Sequence, residues 1–238
     1  MTVVTCEVQG SVAVITMDNG ENQQDLAFAQ AMMAALDAAE ADKGVKAIVI
    51  TSPHEKSWST GVNLGWLMAA MNEGRHDDVK AFMLGMNDVF ARLLTIPVPV
   101  IAAMTGHAFG NGAMLACACD FRFMRTDRGY FCFPEVDVSI PLLPGMIAFV
   151  EKAIPHYRLN DFVLTGRRIT AEELAAEKIL EGALPSADET FKAAMEFAGT
   201  FKKARGIFGE LKQRFHKDVL EVMENEDAPL INAMKLMA

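Results

Sequence analysis

A carboxylate set among aromatic side chains is the group in this sequence best suited to moving a proton. Glu135 lies in Tyr130-Phe-Cys-Phe-Pro-Glu-Val-Asp-Val138, where Phe131, Phe133, Pro134 and Val136 would strip water from it. Desolvation raises a carboxyl pKa and makes the carboxylate a better proton acceptor near neutral pH. Upstream, Thr105-Gly-His-Ala-Phe-Gly-Asn-Gly112 turns an apolar strand, 98–104, into a small-residue helix, 113–119. A helix start leaves backbone N–H groups without intrahelical partners at the positive end of the helix dipole, so it suits an anion or a carbonyl oxygen gaining charge. Gly61-Val-Asn-Leu64 makes a second turn of this kind. Blander readings stand beside these. A glycine turn can simply reverse the chain, and Glu135 can cap a helix or pair with Arg122, Arg125 or Arg128. His107 reads as a packed or hydrogen-bonded histidine, because no Ser or Cys nucleophile pattern accompanies it. Asp137 shares the side of Glu135 by period two if the segment is a regular strand, which makes it a second candidate.

The elements that must hold these groups alternate along the chain. Residues 3–8 and 11–17 read as strands joined by a hairpin at Gln9-Gly10. From Asp25 to Ala41, Phe28, Ala31, Met32, Ala35, Leu36 and Ala39 recur at helical spacing, and the nearly all-apolar 46–51 then reads as a buried parallel strand. Helical periodicity returns through Met71 and again over 79–94, where Ile96-Pro97 stops it. Strand, helix, strand in succession predicts an α/β fold around a parallel sheet. After Glu135, helices are expected over 141–153 and 157–164, and Thr170-Ala-Glu-Glu173 has the capping-box pattern. A short strand at 180–185 precedes helical patterns at 186–204, 206–225 and 227–236. The expected division is a core of residues 1–185 carrying the site and a helical region of residues 186–238.

Composition narrows the function. At 238 residues, 51% hydrophobic and 22% charged, the chain can bury a core without staples. A net charge of −9 gives no footprint for nucleic acid, and no apolar run reaches membrane-spanning length. The N-terminus enters a strand without the regions of a secretory signal. Cys6, Cys117, Cys119 and Cys132 lack the spacing of a zinc or redox site, so no metal is expected and a cytoplasmic setting is. The sequence has no GxGxxG after its first strand, against a dinucleotide enzyme.

Taken in order, the chain resembles the crotonase (enoyl-CoA hydratase/isomerase) family over most of its length. Trp58-Ser-Thr-Gly-Val-Asn-Leu64 is similar to the family's Phe-Ser-Ala-Gly-Ala-Asp-Leu segment, Gly106–Gly112 to its second glycine turn, and Phe133–Ile140 to its Pro-Glu segment. Leu164-Thr-Gly-Arg-Arg-Ile-Thr-Ala-Glu-Glu173 adds a fourth match in the right order. The resemblance implies a crotonase-type spiral of ββα units with a C-terminal helical trimerisation region, and assembly as a homotrimer or dimer of trimers. It implies an acyl-CoA substrate and no other cofactor. The matching oxyanion-hole donors are the backbone N–H groups of Val62 and Asn111, flanked by Gly61 and Gly110. The CoA adenine end would meet main-chain groups near Gln23-Gln24 and 62–64, including Asn63 and Leu64, and Lys212 would reach a phosphate. Leu67 and Met68, with Met71, Met83 and Met86, would line an acyl channel, and ordinary packing between two helices is the competing account.

The departures from the family pattern discriminate among activities. Hydratases of the family place a glutamate where this chain has Met114, a substrate-binding position by the resemblance, and methionine cannot move a proton. The second family glutamate matches Glu135. One base can carry a proton from the α- to the γ-carbon of a β,γ-unsaturated acyl-CoA, so the resemblance implies a Δ3,Δ2-type isomerase. The alternatives are hydration or thioester hydrolysis on the same fold, or a non-catalytic acyl-CoA-binding member.

Overall fold

A computed structural model describes residues 3–234. Strands β1 (Val4–Gln9) and β2 (Val12–Met17) form the expected hairpin, with Val4 opposite Met17 and Gln9 opposite Val12. A two-residue strand β3 (Gln23–Gln24) leads to helix α1 (Leu26–Ala41), where Asp25 accepts the Phe28 N–H at 3.0 Å as N-cap. The predicted apolar positions of α1 are buried except Ala31, which packs partly buried against the core. Strand β4 (Ala47–Thr51) is buried at every residue, as a strand covered on both faces must be.

The next segment holds the short strands β5 (Ser57–Ser59) and β6 (Gly61–Val62), then helices α2 (Leu64–Asn72) and α3 (His76–Thr95). Strand β7 (Val100–Met104) is followed by β8 (His107–Phe109), helix α4 (Asn111–Ala118), β9 (Phe121–Arg125) and β10 (Phe131–Cys132). A helical turn α5 (Glu135–Val138) precedes α6 (Pro144–Ala153), α7 (His156–Leu164) and α8 (Ala171–Ala176), the last opened by the Thr170/Glu173 capping box. Strand β11 (Gly182–Leu184) returns to the sheet. Helices α9 (Ala187–Ala198), α10 (Arg205–Phe215), α11 (Lys217–Val222) and α12 (Ala228–Asn232) finish the chain, with a π turn at Met223–Asp227 before α12. The expected tail segment ran to residue 236, and its last two residues lie outside the described residues.

The main sheet has the order β1-β2-β4-β7-β9-β11, parallel except for the hairpin. One face packs on α9 through Ala47, Val49, Ile101, Ala103, Ala194 and Ala198. The larger core lies on the other face, around Phe28, Met32, Phe82, Phe90 and α4. The boundary expected after residue 185 falls just before α9. A second parallel sheet, β10-β8-β5, and the parallel pair β3-β6 carry the glycine turns. Their two- and three-residue strands are too short for periodicity to reveal.

One segment differs in kind from the sequence reading. Residues 135–138 form a helical turn, ended by Ser139 in the left-handed region at φ 57°, and not a strand. Residues two apart on a helix point about 200° apart, so Asp137 does not share the side of Glu135. Its carboxylate lies against Gly166, whose Cβ, if present, would meet Oδ2 at 2.8 Å.

Candidate active site

The two glycine turns interlock because neither has a side chain where the other passes. A Cβ on Gly61 would stand 2.6 Å from the Phe109 carbonyl oxygen and 2.9 Å from the Asn111 nitrogen. One on Gly112 would stand 2.4 Å from the Ser59 carbonyl oxygen. Contacts this short exclude any other residue at either position. Backbone therefore meets backbone, and Val62 and Asn111 come close together.

Each turn presents an N–H group. In the β3-β6 pair Asn63 N donates to the Gln24 carbonyl at 2.8 Å, and alternate N–H groups along a strand face opposite edges. The Val62 N–H thus points away from β3. Asn111 is the first residue of α4, behind N-cap Gly110, so its N–H has no intrahelical acceptor. The far end of α4 is surrounded by cations that suit its negative pole. Arg122 Nη1 donates to the Ala116 and Cys119 carbonyls, and Lys152 Nζ donates to those of Ala118 and Cys119 at 3.2 and 2.9 Å. Burial pulls the Lys152 ammonium down to about 8.

Glu135 begins the α5 turn and leans over this pair. A Cβ on Gly110 would lie 3.5 Å from Oε1, while Oε2 is buried without a hydrogen-bond partner. Burial pushes its pKa up to about 7, opposed by a backbone hydrogen bond. The arginines that could have paired with it are engaged elsewhere: Arg122 with main-chain carbonyls, Arg125 with Asp127 at 2.6 Å and Arg128 with Glu55 at 2.6 Å. Such a carboxylate takes up protons near neutral pH.

Val62, Gly110, Asn111 and Glu135 line one cavity of about 220 Å³ with Leu64, Leu67, Met68, Met71, Met83 and Met86. Among the described residues Glu135 is the one titratable group on its wall. Met146 and Met234 also line it, as do Ile140 and Leu143. Sequence reading missed these four. The methionine content was visible, but the packing of 140–146 across from α2 and α3 leaves no local signal. The start of α6 is held by Asp227, buried in the π turn, whose Oδ1 accepts the Gly145 N–H at 2.8 Å.

Other expected site residues lie off the cavity. Gly61 sits behind it, and the Asn63 side chain caps α2 by accepting the Trp66 N–H at 2.9 Å. Gln23 is half-buried beside β6. Gln24 offers neither its carbonyl, taken by Asn63, nor its side chain, which is fully buried. Met114 is fully buried in the core and does not line the cavity, contrary to the expectation for a substrate-binding residue. Lys212 is also corrected. Its Nζ is buried at 2.7 Å from both Asp120 Oδ2 and the Leu93 carbonyl, at the opposite end of α4 from Asn111, so it cannot meet a CoA phosphate. His107 is the packed histidine expected, its Nδ1 accepting the Tyr130 N–H at 3.0 Å. No helix among the described residues is long and apolar enough to cross a membrane.

The chain is similar to known proteins in sequence and in fold. The family model described as enoyl-CoA hydratase/isomerase matches residues 7–232. Enoyl-CoA delta isomerase 3 of Arabidopsis thaliana is 29% identical over 221 residues, covering 90% of this chain and 91% of the plant protein. A putative enoyl-CoA hydratase of Thermus thermophilus is 31% identical over 201 residues, covering 78% of this chain and 77% of its own. The solved apo structure of a Mycobacterium tuberculosis enoyl-CoA isomerase superposes with a TM-score of 0.84 at 24% identity, over 98% of both chains. With the family model matching nearly the whole chain, the chain belongs to the enoyl-CoA hydratase/isomerase family and has the crotonase fold with a C-terminal helical region.

Proposed function

We propose that this protein is an enoyl-CoA isomerase that moves a double bond from the β,γ to the α,β position of an acyl-CoA. The observation that carries the reading is Glu135, among the described residues the one titratable group on the cavity wall, with Oε2 buried and unpaired among them and burial holding the acid near neutrality. Its carboxylate removes a proton from the α-carbon, and the C–H electrons pass into a dienolate whose charge rests on the thioester oxygen. The Val62 and Asn111 N–H groups stabilise that oxygen more than the ground-state carbonyl, and a donor of this kind contributes roughly a hundred- to a thousandfold in rate. Glu135 then returns the proton to the γ-carbon, leaving the α,β double bond. Hydration would require a second acid–base group around a bound water, and the corresponding position holds the buried, non-ionisable Met114.

The acyl chain is assigned to the apolar part of the cavity between Leu67, Met68, Met71, Met83 and Met86, and flexible thioethers suit an adaptable chain. The CoA portion is assigned to its mouth at the exposed Leu64, with Gln23 and Asn63 alongside. Self-association as a trimer or dimer of trimers has support in α10, where Ile207, Leu211 and Phe215 stand exposed at four-residue spacing. Incubation with a panel of β,γ-enoyl-CoA chain lengths tests the reading through appearance of conjugated enoyl-CoA. A 3-hydroxyacyl-CoA from 2-enoyl-CoA as the main product, or binding without turnover, would overturn it.

A further inference from the structure

Behind the cavity, a chain of side-chain hydrogen bonds joins the two glycine turns. Asn111 Nδ2 donates to Gln24 Oε1 at 2.7 Å, and Gln24 Nε2 donates to Ser59 Oγ at 3.2 Å. Ser59 Oγ accepts the Gly61 N–H at 3.3 Å and donates to the Asn22 carbonyl at 2.8 Å. Gln24 and Ser59 are fully shut off from solvent and Asn111 nearly so. The chain thus runs from Asn111, one N–H donor, to Gly61, the residue before the other.

Two further facts make this more than satisfied polarity. The N-cap of α4 is Gly110 and supplies no side-chain bond to the first turn, so the Asn111 side chain adds the side-chain tie there, beside the Gly110 N–H bond to the Cys132 carbonyl at 3.0 Å. Of the groups packed there, the Gln24 amide both accepts from Asn111 and donates to Ser59, a pairing a carboxylate or hydrocarbon of similar length cannot reproduce. Beyond Ser59 the network continues through Asn22, whose Nδ2 donates to Ser52 Oγ at 2.8 Å and to the Trp58 carbonyl at 2.9 Å, anchoring it to the β5 region.

We infer that Gln24 is a positioning residue: through Asn111 and Ser59 it sets the separation and aim of the Val62 and Asn111 N–H groups on the thioester oxygen. The inference rests on the isomerase reading above. Gln24 touches no substrate, so its loss misaligns donors without removing a contact. Hydrogen bonds to the enolate strengthen in the transition state, so misalignment falls on kcat and leaves ground-state binding nearly intact.

The test is Gln24→Met, of similar length and without hydrogen-bonding groups, with Asn111→Gly as a second variant that breaks the same link while keeping the residue 111 N–H. Expected is a fall in kcat of about ten- to a hundredfold with KM within about twofold. The double variant should be no worse than the poorer single. Infrared spectra of a bound saturated acyl-CoA provide a readout independent of turnover. In wild type the thioester carbonyl stretch should drop relative to solution, and both variants should recover part of that drop. A lowered melting temperature with unchanged kcat and carbonyl frequency would overturn the inference and leave the isomerase reading standing. No carbonyl drop in wild type would overturn the two-donor reading itself. Should Gln24→Met fail to fold, Asn111→Gly decides by the same measurements.

Discussion

The Glu135 carboxylate and Gly110 are fitted to one another: a Cβ on residue 110 would stand 3.5 Å from Oε1, and Gly110 adopts φ 52° and ψ −123°, a backbone region open to glycine. Gly110→Ala would place its Cβ in van der Waals contact with the acid and would strain the turn that presents the Asn111 N–H by about 1–3 kcal/mol. The expected outcome is a lower melting temperature together with reduced kcat. An alanine variant matching wild type in both would contradict this backbone conformation at residue 110.

The pH dependence of turnover follows from the same burial. Glu135 must be ionised to accept a proton, so kcat/KM should rise through a midpoint near its pKa of about 7. An ordinary glutamate, near 4.3, would already be on the plateau by about pH 6. The shift also has a sign for stability. A folded-state pKa raised above the unfolded value means that Glu135 lowers stability as pH rises between about 4.5 and about 7, with the loss complete above that window. Glu135→Gln should therefore melt higher than wild type at pH 8 and close to it at pH 4.5. Asp227, pushed up to about 6 by burial, adds a parallel slope that cancels in the comparison.

Acyl length should be read by α2. Met68 and Met71 line the cavity while remaining partly exposed, at 57% and 38%, so a larger ring there can be accommodated without disturbing the core. Replacing both by Phe should shift the preference toward shorter β,γ-enoyl-CoAs, with the longest substrates losing about tenfold or more in kcat/KM. An unchanged ranking of chain lengths would remove the acyl chain from this wall.

Lys212 belongs to stability. Its pairing with Asp120 leaves the two side chains only 5% and 13% exposed, so Lys212→Met strands a mostly buried carboxylate. Breaking one partner of a buried pair costs about 3–5 kcal/mol, to be read by urea denaturation. KM for acyl-CoA at low salt should stay as in wild type, and a raised KM without destabilisation would return Lys212 to the substrate.

Elements with a long repeat were legible in the sequence, and so were residues whose backbone does the work. The apolar spacing of α1, the continuous apolar run of β4 and the Thr170/Glu173 box each reflect local physics, and each appears in the structure. The glycines of the two turns marked where strand gives way to helix, and the close approach of the two turns came only with the structure. What remained hidden depends on contacts distant in sequence. Strand pairing of Gln24 beside Val62 spans 38 positions and its bond to Asn111 spans 87, and nothing in Gln23-Gln24 itself distinguishes a surface amide from a buried bridge. The helical turn at Glu135–Val138 escaped because four residues with two β-branched valines read as strand. Lys212 was misplaced because a lysine pattern carries no sign of the buried aspartate waiting for it.

In the proposed reaction one carboxylate, Glu135, carries the proton. Glu135→Gln keeps the size and removes the ability to accept a proton at neutral pH. Isomerase rates and acyl-CoA affinity measured on the same preparation of this variant test it most directly. Expected are unchanged affinity and loss of nearly all turnover, at least the hundredfold that a positioned base commonly contributes. A rate within about tenfold of wild type, a barrier change of only ~1.4 kcal/mol, would contradict it.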